Sequence, residues 1–132
     1  MSLAINSTGA MSVSFNGDVV LNDSSGIQAP LSKIIPVLTA SMSASTFGQA
    51  ILGMASVVVS LPANPTQLLY ARNLSLLNSI TFTWTPVGAV STTVMVLQSG
   101  GVLFFFSPGG GILALSVVAS AANTSVDYLL AG

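Results

Sequence analysis

The stretch Ser79–Thr85 reads Ser-Ile-Thr-Phe-Thr-Trp-Thr, an unbroken alternation of polar and apolar residues. Successive side chains of a strand point to opposite faces of a sheet. Ile80, Phe82 and Trp84 therefore face one side, and Thr81, Thr83 and Thr85 the other, as in a half-buried antiparallel strand. A helical period of 3.6 cannot accommodate this pattern. Thr92–Gln98 behaves alike, with Val94 and Val96 on one face and Met95 and Leu97 on the opposite one. Gln67–Asn73, Val102–Phe106, Ile112–Ala119 and Ser125–Leu130 also read as strands, as does Ala55–Leu61 with its β-branched Val57-Val58-Val59. Pro62–Pro65, Pro86–Ala89, Ser99–Gly101 and Ser107–Gly111 punctuate them. About eight short strands spaced roughly 8–12 residues apart predict an all-β, antiparallel β-sandwich, jelly-roll-like.

The first part of the chain is less regular. Ala10–Phe15 and Asp18–Leu21 flank Asn16-Gly17, which predicts a hairpin closed by a type I′ turn. Asn22–Ala29 reads as a polar loop. Leu31–Leu38 contains Pro36 and predicts a short edge strand or an irregular link. Thr39–Thr46 predicts a strand with a polar face. Phe47–Met54 is the one stretch that reads as a short helix, although Gly48 and Gly53 weaken it. No repeat or long linker divides the chain, so residues 1–132 are expected to form a single β-sandwich domain. Residues 1–30 are expected either to be its first hairpin or to form an N-terminal arm that contacts a neighbouring subunit.

Charge bounds the function. Only 4% of the 132 residues are charged, against about 25% in ordinary soluble domains. They are Asp18, Asp23, Lys33, Arg72 and Asp127, with a net charge of −1. Soluble monomers use charge to stay apart, whereas interface cores are depleted of it. Either the surface is a neutral Ser/Thr one on a monomer, or other subunits cover much of it. Val94–Ser120 is uncharged but broken by glycines and Pro108, short of the ~18 apolar residues of a spanning helix. Met1–Phe15 lacks the basic and apolar regions of a signal peptide. Two basic residues do not make a phosphate-tracking groove. Neither a membrane nor a nucleic acid is an expected partner.

The inventory of reactive groups is small. The chain has no His, Cys or Glu, which excludes a Ser-His-Asp triad, thiol chemistry, disulfides and the usual zinc ligands. Asn16, Asp18, Asn22 and Asp23 supply oxygen ligands close together, but their spacing matches no calcium loop and fits turn chemistry instead. Gly109-Gly110-Gly111 lacks the Lys-Ser/Thr of a phosphate loop. No catalytic, cofactor-binding or metal-binding residue is expected, and no cofactor. Asp127 is expected to be exposed or paired with Arg72. Phe104-Phe105-Phe106 places Phe105 opposite Phe104 and Phe106, so both faces of that strand need cover. The cover is a neighbouring subunit, or the strand is central within the monomer.

Leu69–Trp84, with Leu-Leu-Tyr-Ala-Arg-Asn-Leu-Ser and then Asn-Ser-Ile-Thr-Phe-Thr-Trp, resembles small virion proteins of tailed bacteriophages. Gly100–Phe104, Ser107–Gly109 and Ala121–Gly132 share that style. The resemblance covers about the last half of the chain and includes no diagnostic motif. It implies a sandwich or jelly roll acting as a multimer: a capsid decoration (cement) protein, or a small tail or fibre component. The expected partners are then itself, with a trimer among the homo-oligomers, and the major capsid or other virion proteins, and the location is the virion. The alternative is a carbohydrate-binding sandwich in which Trp84, Tyr70 or Tyr128 stacks on sugar. A third is filament formation through strand edges that lack protecting lysines.

Overall fold

A computed structural model describes residues 44–107 and 109–132 in full, together with the strand backbone of residues 7–8, 11–15, 20–22, 28–30 and 38–42. Among the described residues every regular element is a strand, and no helix is long and apolar enough to cross a membrane. The strands are β1 (Ser7–Thr8), β2 (Met11–Phe15), β3 (Val20–Asn22), β4 (Gln28–Pro30), β5 (Leu38–Met42), β6 (Ser45–Leu52) and β7 (Val57–Val58). They continue with β8 (Leu68–Asn73), β9 (Ile80–Pro86), β10 (Thr93–Leu97), β11 (Val102–Phe106), β12 (Ile112–Ala119) and β13 (Thr124–Ala131). The chain forms two compact units: Ser12–Ser41, and Met1–Met11 with Met42–Gly132.

In the larger unit one sheet runs β1-β6-β13-β8-β11 and the other β10-β9-β12-β7, with antiparallel pairing throughout. Counting from β6, the first sheet holds the first, eighth, third and sixth strands. The second holds the second, seventh, fourth and fifth. That order is a jelly roll: an all-β antiparallel sandwich of eight strands, as the strand spacing predicted.

The inner faces meet in one core. Leu52, Leu69, Ala71, Leu103, Val126 and Leu130 come from the first sheet. Ile80, Phe82, Trp84, Leu97, Leu115, Val117 and Ala119 come from the second. The alternation of Ser79–Thr85 appears directly in β9, where Ile80, Phe82 and Trp84 are buried and the threonines half-buried. Trp84 is only 5% exposed and tilts against Phe105, with ring centroids 5.7 Å apart. A residue so placed belongs to the core and presents no platform to a sugar.

Three expectations are corrected. Phe47–Met54 is not a helix: β6 covers Ser45–Leu52, paired with β13 along its whole length. Its exposure alternates with period two, Phe47, Gln49 and Ile51 outward, and the two glycines remove any helical preference that could compete. The strand beside Asn16-Gly17 does not pair across that turn, because β2 pairs with β5 while β3 pairs with β4. The stretch Asn22–Ala29, expected as a loop, gives Asn22 to β3 and Gln28 and Ala29 to β4. β11 is not a central strand either, since its one strand neighbour among the described residues is β8. The Asn16-Gly17 turn, the Pro36 link, Lys33, Asp18 and Asp23 lie outside the described residues.

One close approach locks the end of the sandwich. Thr66 and Ile112 exchange backbone hydrogen bonds of 2.9 and 2.8 Å between the sheets' ends. Gly111 lies against them with φ +124°, and an added Cβ would collide with the Thr66 carbonyl oxygen. Gly53 by contrast has ordinary φ and open space where a Cβ would go. We expect Gly111→Ala to cost about 2–4 kcal/mol, from backbone strain plus the clash. Gly53→Ala should be neutral or stabilise by up to about 1 kcal/mol through the unfolded chain. Urea unfolding followed by circular dichroism measures both.

Candidate functional site

Among the described residues the charged side chains are Arg72 and Asp127, and no group of three His, Cys, Asp or Glu gathers to hold a metal. The two charges stand directly opposite one another on β8 and β13, in the outer row Gln49–Asp127–Arg72–Val102. The outer face of the five-stranded sheet thus holds opposite charges side by side. The neighbouring row, Phe47–Leu129–Tyr70–Phe104, is apolar across four strands. Tyr70 is half-buried in that row, and Phe104 is half-exposed. Phe105 turns the other way and packs on the core, the opposition that three consecutive phenylalanines require.

The outer face of the other sheet carries no charge. Its rows are Val94–Thr83–Ser116–Val58 and Val96–Thr81–Val118. Val58, Val94 and Val96 are all exposed. β10 and β11, the outermost strands on one side, read Thr-Val-Met-Val-Leu and Val-Leu-Phe-Phe-Phe, with none of the lysines or prolines that normally blunt an edge.

On the opposite side the sheets part. An apolar groove of about 360 Å³ opens between β6 and β7 and reaches down to Leu69, Phe82, Leu115 and Val126. The sequence of β6 explains it. Its inward positions before Leu52 are Thr46, Gly48 and Ala50, small where the other strands present Leu, Phe or Trp. β7 is two residues long and closes little of the gap. An enclosed apolar void of about 360 Å³ would cost about 9 kcal/mol at ~24 cal/mol per Å³. That is comparable to the whole stability of a domain. Water at the open mouth lowers the figure, and Thr46, Ser60 and Tyr128 are the polar residues of a lining that is otherwise apolar.

A third feature is the loop 74–78. Its polar residues turn inward. Asn73, fully buried at the end of β8, donates from Nδ2 to the carbonyls of Asn78 (2.7 Å), Leu97 (3.2 Å) and Gln98 (3.1 Å). Its Oδ1 accepts from the Ser75 amide at 3.0 Å. Ser75 Oγ accepts from the amides of Leu77 (3.2 Å) and Asn78 (2.9 Å). Asn78 Nδ2 donates to Thr124 Oγ1 at 3.0 Å. The apolar residues turn outward: Leu76 is 89% and Leu77 91% exposed. This inverts the usual arrangement of a loop. Sequence reasoning assigned this loop no role, although two adjacent leucines between asparagines at a strand–strand turn are a visible signal. It also overlooked the groove, because β6 read as a helix.

No family model matches the chain, and no curated protein matches it. Among solved structures it is similar to a subunit from work showing that Bacillus endospore appendages form a novel family of disulfide-linked pili. The identity is 7% and the TM-score 0.45, over 98% of this chain and 87% of that one. A likeness at that level carries no argument about what this chain does.

The Asn73 amide has two hydrogens for three carbonyls, so one is shared. We expect Asn73→Ala to lose about 2–4 kcal/mol, because it removes a fully buried amide together with the side-chain bonds it makes to Ser75, Asn78, Leu97 and Gln98. Faster amide exchange in residues 74–78 would accompany the loss, read by hydrogen–deuterium exchange.

Proposed function

We propose that this chain is a non-enzymatic structural subunit that works with much of its surface buried against other copies of itself. The observation that supports this most strongly is the pair of outer sheet faces. One is wholly uncharged, the other carries one opposed Arg–Asp pair beside a four-strand apolar row, and the strand edges are unprotected. Surfaces of this kind resemble interface cores more than the exterior of a monomer. The finer reading is a cement or decoration protein of a phage virion. It rests on the resemblance of Leu69–Trp84 and on the jelly-roll order that such proteins commonly have. In that role the subunit would join shell proteins through apolar and backbone contacts and stabilise the assembled state by mass action.

Uncharged contacts make a specific expectation about salt. Adhesion that does not depend on ion pairs is not weakened by screening. In multi-angle light scattering the purified protein should associate as its concentration rises. The extent should be unchanged, or greater, between 0.1 and 1 M NaCl. Adding phage shell particles should deplete it from solution. A concentration-independent monomer that ignores the particles would sink the reading. Self-association without capture by shells would retain the homomeric subunit and remove the virion.

A further inference from the structure

The loop 74–78 and the groove between β6 and β7 are complementary, and each is unexplained without the other. We propose that Leu76 and Leu77 of one copy insert into the groove of a second copy. This rests on the assembly reading above and names the contact that carries it.

Four observations converge. The leucines do not fill their own groove, since they are 89% and 91% exposed. They are held outward by a built scaffold rather than by chance, with Asn73, Ser75 and Asn78 bonded beneath them. Such preorganisation lowers the ordering cost of insertion. The groove is apolar to its floor, and neither surface carries a charge that would be buried unpaired. The sizes agree: a dry apolar cavity of about 150 Å³ accepts benzene, so about 360 Å³ has room for two isobutyl groups. The contact joins two different patches of the same molecule. It is therefore either reciprocated in a two-fold pair or passed on from copy to copy in a ring or a fibre.

Three variants test the contact by light scattering, with circular dichroism as the check on folding. The double variant Leu76→Ser, Leu77→Ser removes the projection and should weaken self-association about 100-fold or more, given two buried leucines. Ala50→Phe fills the groove and should do the same. Mixed together, these two should form a dimer and nothing larger, because one intact projection and one intact groove remain. The chain has no cysteine, so a cross-link offers a route that does not depend on Ala50→Phe folding. Leu77→Cys mixed with Ser60→Cys, at the groove mouth, should give an oxidised heterodimer about 10-fold above that with Ser91→Cys. Wild-type association that survives the loss of both leucines would overturn this contact and leave the assembly reading standing. Absence of the Leu77–Ser60 cross-link in an associating protein would overturn it too. A wild type that stays monomeric would overturn both.

Discussion

The Asn73 amide is the polar pin on which the end of the sandwich depends. It closes β8 in one sheet and bonds to the carbonyls of Leu97 and Gln98 at the end of β10 in the other. Its backbone amide donates to Gly101, just before β11. One buried residue thus sets the spacing of three strand ends in two sheets, through its side chain and its backbone together. It also starts the chain of side-chain bonds that fixes the loop after it. Between this end and the Thr66–Ile112 bonds at the other, the core joins the sheets through apolar side chains, whose contacts are not directional. A hydrogen-bonded amide is directional, and with its partners buried it admits one arrangement.

The larger unit was legible wherever a strand had one wet face and one dry face. β9, β8 and β12 announced themselves by alternation or by apolar runs between Gly and Pro turns, and the structure places them within a residue or two of expectation. β11 was legible as a strand, but not as an edge. Its three phenylalanines demand cover on both sides, and sequence alone cannot say whether that cover is another strand or another molecule. β6 was misread because Phe47–Met54 has no clean alternation of hydrophobicity. Its inward residues are Thr, Gly and Ala, and its outward ones include Phe and Ile. Burial and hydropathy run in opposite directions there, and only the pairing with β13 resolves it. The β2–β5 pairing was hidden for a different reason: a strong local turn signal predicted a neighbour, whereas a distant strand took the place. The groove follows from β6 and was lost with it. Asp127 was expected to be exposed or paired with Arg72; it is half-buried and stands in register across from Arg72.

The same reversal of hydropathy links the two features that sequence reasoning overlooked. β6 turns small residues inward and large apolar ones outward, while loop 74–78 turns polar residues inward and leucines outward. In a monomer each reversal is a cost, since it leaves a core underfilled or apolar surface in water. A chain built to associate can offset one against the other. The charge deficit belongs to the same account. With Arg72 and Asp127 as the charged side chains of the described residues, repulsion between copies is minimal. In the assembly we propose, specificity would come from shape and hydrogen-bonded backbone rather than from charge pattern.

The position of β13 sets the order in which these surfaces come into being. It lies between β6 and β8, the first and third strands of the sandwich, although it comes eighth in the chain. As the polypeptide emerges during synthesis, β6 and β8 have no shared partner until the last strand arrives. Val126, Tyr128 and Leu130 of that strand also form one wall of the groove. Until β13 pairs, the loop that bears Leu76 and Leu77 stands in a chain whose groove is incomplete. β13 thus completes the sheet and the groove in one step, joining β6 to β8 and walling the pocket at once.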